Sequence, residues 1–85
     1  MFIIVFTPRG EKDLSNLPRN IQKRIRDKLR ENAALPDPFI RAKPLIDLPP
    51  STHRFRVGKY RISFYIEKQT IHVERVEIRG AAYHR

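Results

Sequence analysis

His53-Arg54-Phe55-Arg56-Val57-Gly58-Lys59-Tyr60-Arg61-Ile62-Ser63-Phe64-Tyr65-Ile66 alternates apolar and polar residues on either side of a glycine. Successive side chains of a strand point to opposite faces, so the pattern reads as a β-hairpin. Phe55 and Val57 share one face of its first strand, and Arg54 and Arg56 share the other. After the turn, Ile62, Phe64 and Ile66 take one face, while Arg61, Ser63 and Tyr65 take the opposite one. Arg54, Arg56, Lys59 and Arg61 fall within eight residues with no carboxylate among them. Like charges gathered on a hairpin repel unless an anion sits between them. The stretch therefore predicts a phosphate-binding surface.

Upstream, Phe2 to Phe6 is continuously apolar and β-rich, which predicts a strand buried on both faces or nearly so. Thr7-Pro8 then has the form of a helix start, with Thr7 as N-cap and Pro8 at the first helical position. That short helix should end near Asn16. Pro18 opens a second helix, running to about Ala34, in which Ile21, Ile25, Leu29 and Ala33 recur every four residues as one apolar stripe. On its far side Arg19, Lys23, Arg26 and Arg30 line up four cations, read either as a solvated face or as a second surface for RNA backbone. Leu35 to Pro50 holds five of the seven prolines and reads as irregular, with Phe39, Leu45, Ile46 and Leu48 pinning it to the core.

Downstream of the hairpin, Glu67 to Thr70 is a polar turn into a last strand, Ile71 to Arg79. Its apolar set changes phase, from Ile71 and Val73 to Val76 and Ile78. Either a bulge lies near Glu74-Arg75 or both faces are partly covered. The tail ends Arg79-Gly80-Ala81-Ala82-Tyr83-His84-Arg85. The order is thus an N-terminal strand, a two-helix hairpin and a three-stranded antiparallel meander, an α+β layer pair.

Length and charge bound the rest. The 85 residues have room for one domain, 1–85, with one modest core. Lys and Arg number 18 against 9 Asp and Glu, a net charge of +9 that points to a polyanionic partner. With no cysteine, disulfide frameworks and Cys-based zinc sites are excluded. His53, His72 and His84 do not form a metal-ligand spacing, and His53 and His72 read as ordinary strand residues, so neither metal nor other cofactor is expected. The run Phe2 to Phe6 is too short to span a bilayer and lacks the flanks of a signal peptide. A cytoplasmic chain with no membrane partner is the expectation.

Three features together resemble the RelE/ParE superfamily of toxin–antitoxin toxins. They are the opening Ile-Val-Phe-Thr-Pro with Asp13-Leu14 and Leu17-Pro18 ahead of an Ile-rich helix, Lys43-Pro44-Leu45 followed by Arg54 to Ile62, and the terminal Arg79 and Tyr83. The resemblance covers essentially the whole chain and implies the RelE-like microbial RNase fold. RelE-like members of the superfamily cut mRNA in the ribosomal A site without metal, whereas ParE-like members share the fold, lack the cleavage residues and poison DNA gyrase.

The retained Arg61, Arg79 and Tyr83 look RelE-like. They imply an endoribonuclease (an mRNA interferase that inhibits translation) with mRNA, ribosomal RNA and a cognate antitoxin as partners. In metal-free cleavage the 2′-OH attacks the adjacent phosphate, and charge grows on the phosphorane. Arginine suits that charge because its fork holds two phosphate oxygens and never deprotonates. Arg61 and Arg79 resemble the family's phosphate-stabilising pair, with Arg54 in support; Thr52 stands where some relatives carry lysine. Tyr83, as base or stacking platform, and His84, as acid or base, are the proton carriers the resemblance implies. Arg56 and Lys59 are assigned to the RNA backbone, Tyr65 to stacking on a base, and Arg19, Lys23, Arg26 and Arg30 to ribosomal RNA. The alternatives are a ParE-like gyrase inhibitor and an inactive RNA-binding relative.

Overall fold

The chain enters its sheet at once: in a computed structural model describing residues 2–45 and 49–78, β1 is Ile3–Phe6. Two helices follow, α1 (Pro8–Ser15) and α2 (Arg19–Ala33), and then β2 (Lys43–Pro44), β3 (His53–Val57), β4 (Tyr60–Glu67) and β5 (Thr70–Ile78). The five strands form one sheet in the order β1-β5-β4-β3-β2. β1 runs parallel to β5, and every other pair is antiparallel. The expected strand, helical hairpin and meander are all present, and β2 is an addition, two residues long, inside the segment read as irregular.

One face of the sheet meets the helices. Phe55, Val57, Tyr60, Ile62, Phe64, Ile71, Val73 and Val76 are buried against Leu14, Ile25, Leu29 and Ala33. The four-residue stripe of α2 therefore does what its spacing predicts, Ile21 being the partly buried member. Full burial of each Leu or Ile contributes roughly 1.5–3 kcal/mol, so this seam carries much of the stability of a small domain. Phe39 joins the edge of the core, its ring 4.2 Å from that of His53 and 6.1 Å from that of Phe64. Leu45 is half-buried, while Ile46 and Leu48 lie outside the described residues.

β1 corrects an expectation. Ile3 is 61% and Val5 42% exposed, so the strand is covered on one face only. It is the end strand of the sheet, and only Ile4 and Phe6 turn toward α2. An unbroken apolar run does not reveal which of its faces will be covered.

The phase change in β5 is a bulge. Ser63 pairs with Arg75 and Phe64 with Val73, so Glu74 is passed over and Val76 returns to the core face opposite Ile62. The helix start lies against this irregularity. Thr7 Oγ1 accepts from the Gly10 N–H at 3.1 Å, as an N-cap should, and donates to the Val73 carbonyl at 3.2 Å. Gly10 lies so close to β5 that a Cβ there would collide with the Val73 carbonyl oxygen, a backbone atom that cannot swing away. Alanine favours a helix interior over glycine by about 1 kcal/mol, but overpacking costs about 1–3 kcal/mol. Gly10→Ala is therefore expected to lower stability by up to about 2 kcal/mol, read as an earlier urea midpoint at unchanged m-value.

The hairpin at the centre turns on Gly58 and Lys59. Gly58 has φ +61°, in the left-handed region that two-residue hairpin turns demand at their first position. The guanidinium of Arg24 packs against it, within 3.2 Å of where a Cβ would stand.

Candidate nucleic-acid interface

The sheet face turned away from the helices is built by the same alternation that builds the core. Register sets its side chains in rows across the strands. Arg56, Arg61 and Glu77 form one row, and Lys43, Arg54, Ser63 and Arg75 the next. Beyond the bulge, Tyr65, His72 and Val5 form a third. Five cations thus fall in two adjacent rows, with Glu77 at the end of the first. Like charges directly opposite one another destabilise a sheet, and Lys43 faces Arg54 just as Arg56 faces Arg61. Such an arrangement suits a bound anion.

The cations are not equivalent. Arg61 sits on a central strand and is only 7% exposed, so its stem is fixed by packing. Arg54 is half-buried and Arg56 exposed. Together with Arg41, Lys43 and Phe55 they line a cleft of about 260 Å³ at the β2–β3 edge. Lys59 stands apart at the turn, its Nζ 6.0 Å from the ring centroid of Tyr60, whose side chain belongs to the helix-facing side. Tyr65 lies against His72, the rings 4.6 Å apart and within 9° of parallel. Arg79, Tyr83 and His84 lie outside the described residues.

Arg75 and Glu77 belong to this face as well. Arg75 Nε donates to Asp13 Oδ2 at 3.0 Å and its Nη2 to Glu77 Oε2 at 2.9 Å. The same Asp13 oxygen accepts the Val76 N–H at 3.0 Å. A helix carboxylate thus holds both the backbone beyond the bulge and the arginine beside it. Only the change of phase at Glu74 signalled anything here; the partnership with Asp13, 62 residues away, had no local sign.

The second basic surface is separate. Arg19, Lys23, Arg26 and Arg30 line a groove of about 690 Å³ with Ser15, Gln22 and Asp27, on the helical side of the molecule. No phosphate touching Arg61 can touch this groove as well. The cations here are partly compensated: Asp27 binds Lys23 at 2.8 Å and Arg30 at 2.9 Å. The Lys23 hydrogen bond, joined by the Arg30 charge, holds the Asp27 carboxyl below its ordinary value. Both partners are exposed, so these pairs contribute little to stability.

Comparison with known proteins identifies the lineage. The family model described as the ParE toxin of the type II toxin–antitoxin system, parDE, matches residues 4–83. The chain belongs to this family. The fold agrees with solved relatives. A chain of the RelBE2 toxin–antitoxin complex from Mycobacterium tuberculosis superposes with a TM-score of 0.79 at 26% identity, covering 92% of this chain and 91% of that one. A chain of the RelB–RelE antitoxin–toxin complex from Methanococcus jannaschii gives 0.65 at 27% identity, covering 93% and 94%. The isolated E. coli RelE toxin gives 0.73 at 21% identity, covering 98% and 92%, a likeness of fold alone. No curated protein sequence matches the chain. This family member is a type II toxin with a RelE-like α+β fold, and among its described residues no helix is long and apolar enough to cross a membrane.

Proposed function

We propose that the chain is an endoribonuclease toxin that cleaves mRNA, in the ribosomal A site, by attack of a 2′-OH on the adjacent phosphate. The observation that carries this reading is Arg61: a guanidinium on a packed, central-strand stem, on a helix-free face that also carries Arg54 and Arg56. Electrostatic catalysis needs charge preorganised where the phosphorane will form, because a donor that must first be ordered returns part of its advantage. In this reading Arg61, with Arg79, balances the growing charge. Tyr83 or His84 carries the proton, Arg54 and Arg56 hold the flanking backbone, and Lys59 and Tyr65 make outlying contacts. Arg19, Lys23, Arg26 and Arg30 meet ribosomal RNA on the other side of the molecule. A cognate antitoxin holds the toxin inactive, in keeping with the toxin–antitoxin complexes among the similar structures.

The family match itself favours a second reading, a ParE-like toxin that acts on DNA gyrase and cleaves nothing. One experiment separates the two. Purified chain is incubated with mRNA-programmed ribosomes and, in parallel, with gyrase and supercoiled plasmid. The nuclease reading expects new mRNA 5′ ends and 2′,3′-cyclic phosphate termini, with plasmid unaffected. Gyrase-dependent DNA breaks with intact mRNA would establish the second reading. Salt-sensitive RNA binding without any cleavage would mark an inactive relative.

A further inference from the structure

Ser63 is 0% exposed, and its Oγ has no hydrogen-bond partner. A hydroxyl that loses water and gains nothing in exchange is disfavoured, and an apolar β-branched side chain would suit this strand better. Its position gives the oversight a use. On the helix-free face Arg54 stands opposite it on β3 and Arg75 on β5, with Arg61 two residues before it and Tyr65 two after. The short side chain lies in the middle of the cationic face, between longer neighbours.

The two cross-strand arginines differ in what they have left to offer. Arg75 is committed to Asp13 and Glu77. No hydrogen bond or ion pair holds Arg54 among the described residues. Among the described residues, the Ser63 hydroxyl and the Arg54 guanidinium are unused donors at directly paired positions. We propose that these two groups form a phosphate subsite, in which Ser63 Oγ–H donates to one non-bridging oxygen of an RNA phosphate and Arg54 pairs with the other. Because the hydroxyl is fully buried, the side chains that cover it part as the phosphate enters.

The subsite rests on the RNA reading and specifies it further. Ser63 lies two residues, about 6.6 Å, along β4 from Arg61, a step comparable to that between successive phosphates of one strand. Arg61 on the scissile phosphate therefore leaves Ser63 and Arg54 for the phosphate next to it. Ser63 is a positioning residue here: it fixes the register of the RNA and takes no part in proton transfer.

Ser63→Ala tests this, because a stability role and a ligand role predict opposite signs. Removal of an unsatisfied buried hydroxyl should leave the thermal midpoint unchanged or raise it. Affinity for a fully 2′-O-methylated RNA hexamer, which cannot be cleaved, should fall about tenfold at fixed salt, as for loss of a hydrogen bond to a charged group. Arg54→Ala should weaken binding too, and the double variant should lose less than the sum of the two. Unchanged affinity in Ser63→Ala, or a loss matched by a lowered midpoint, overturns the subsite while leaving the nuclease reading intact. Failure of the unsubstituted chain to bind the hexamer overturns the RNA reading and the subsite with it.

Discussion

Arg61→Ala is expected to reduce mRNA cleavage by about 10²–10³-fold, the scale for loss of one preorganised donor at a developing oxyanion, and to abolish growth arrest. The size of the effect follows from placement. Arg61 is the one buried arginine among the described residues of the face, and Arg75, its neighbour in the next row, is already engaged by Asp13 and Glu77. Arg61→Lys separates the fork from the charge. Lysine supplies a single point charge on a flexible stem and cannot grip two oxygens at once, so it should restore only part of the loss. Because the stem is packed, both variants need a thermal melt beside the cleavage assay. Activity that falls only with the folded fraction would assign Arg61 to stability and remove it from the mechanism. The expected pattern is a folded chain, RNA affinity lowered only modestly, and single-turnover cleavage lost.

The parts of the molecule that repeat with a fixed period were legible in the sequence. The alternation of Arg54 to Tyr65 gave both faces of β3 and β4, because a two-residue period leaves each side chain one choice of side. The four-residue spacing of Ile21 to Ala33 gave the buried stripe of α2 for the same kind of reason. Period failed where neighbours decide. Phe2 to Phe6 looks like a strand covered twice, yet it pairs with β5 along one edge only and leaves Ile3 and Val5 uncovered. β2 has no pattern to detect, since Lys43 and Pro44 become a strand only by lying against Arg54 and His53.

The site divides along the same line. The hairpin arginines were legible as a run of charge with no carboxylate among them in sequence. The buried standing of Arg61 and the bare hydroxyl of Ser63 depend on what lies beside them across the sheet. Lys59 shows the converse: it lies among the arginines in sequence, but the turn directs it toward Tyr60.

Asp13→Ala is expected to destabilise the fold by about 3 kcal/mol and to do so from outside the cationic face. The carboxylate is 18% exposed and accepts two hydrogen bonds at 3.0 Å, from Arg75 Nε and from the Val76 N–H. A hydrogen bond to a charged group is worth about 1.5–3 kcal/mol, and a buried donor left unsatisfied costs about 1–3 kcal/mol. Breaking a fully buried ion pair costs about 3–5 kcal/mol; Arg75, at 28% exposed, still reaches water and keeps Glu77, so the lower end applies. Against a total of about 4–13 kcal/mol for a chain this size, the loss is severe. It should lower the thermal midpoint by about 12–24 °C. Asp13→Asn decides which bond matters more. The amide keeps an acceptor for the Val76 N–H but loses the charge facing Arg75, so a loss near half that of alanine would divide the effect evenly. If asparagine instead matches alanine, the ion pair dominates; if it matches the unsubstituted chain, the backbone cap does. Wild-type stability in both variants would mean that Thr7 and the close approach of Gly10 already fix α1 to β5 unaided.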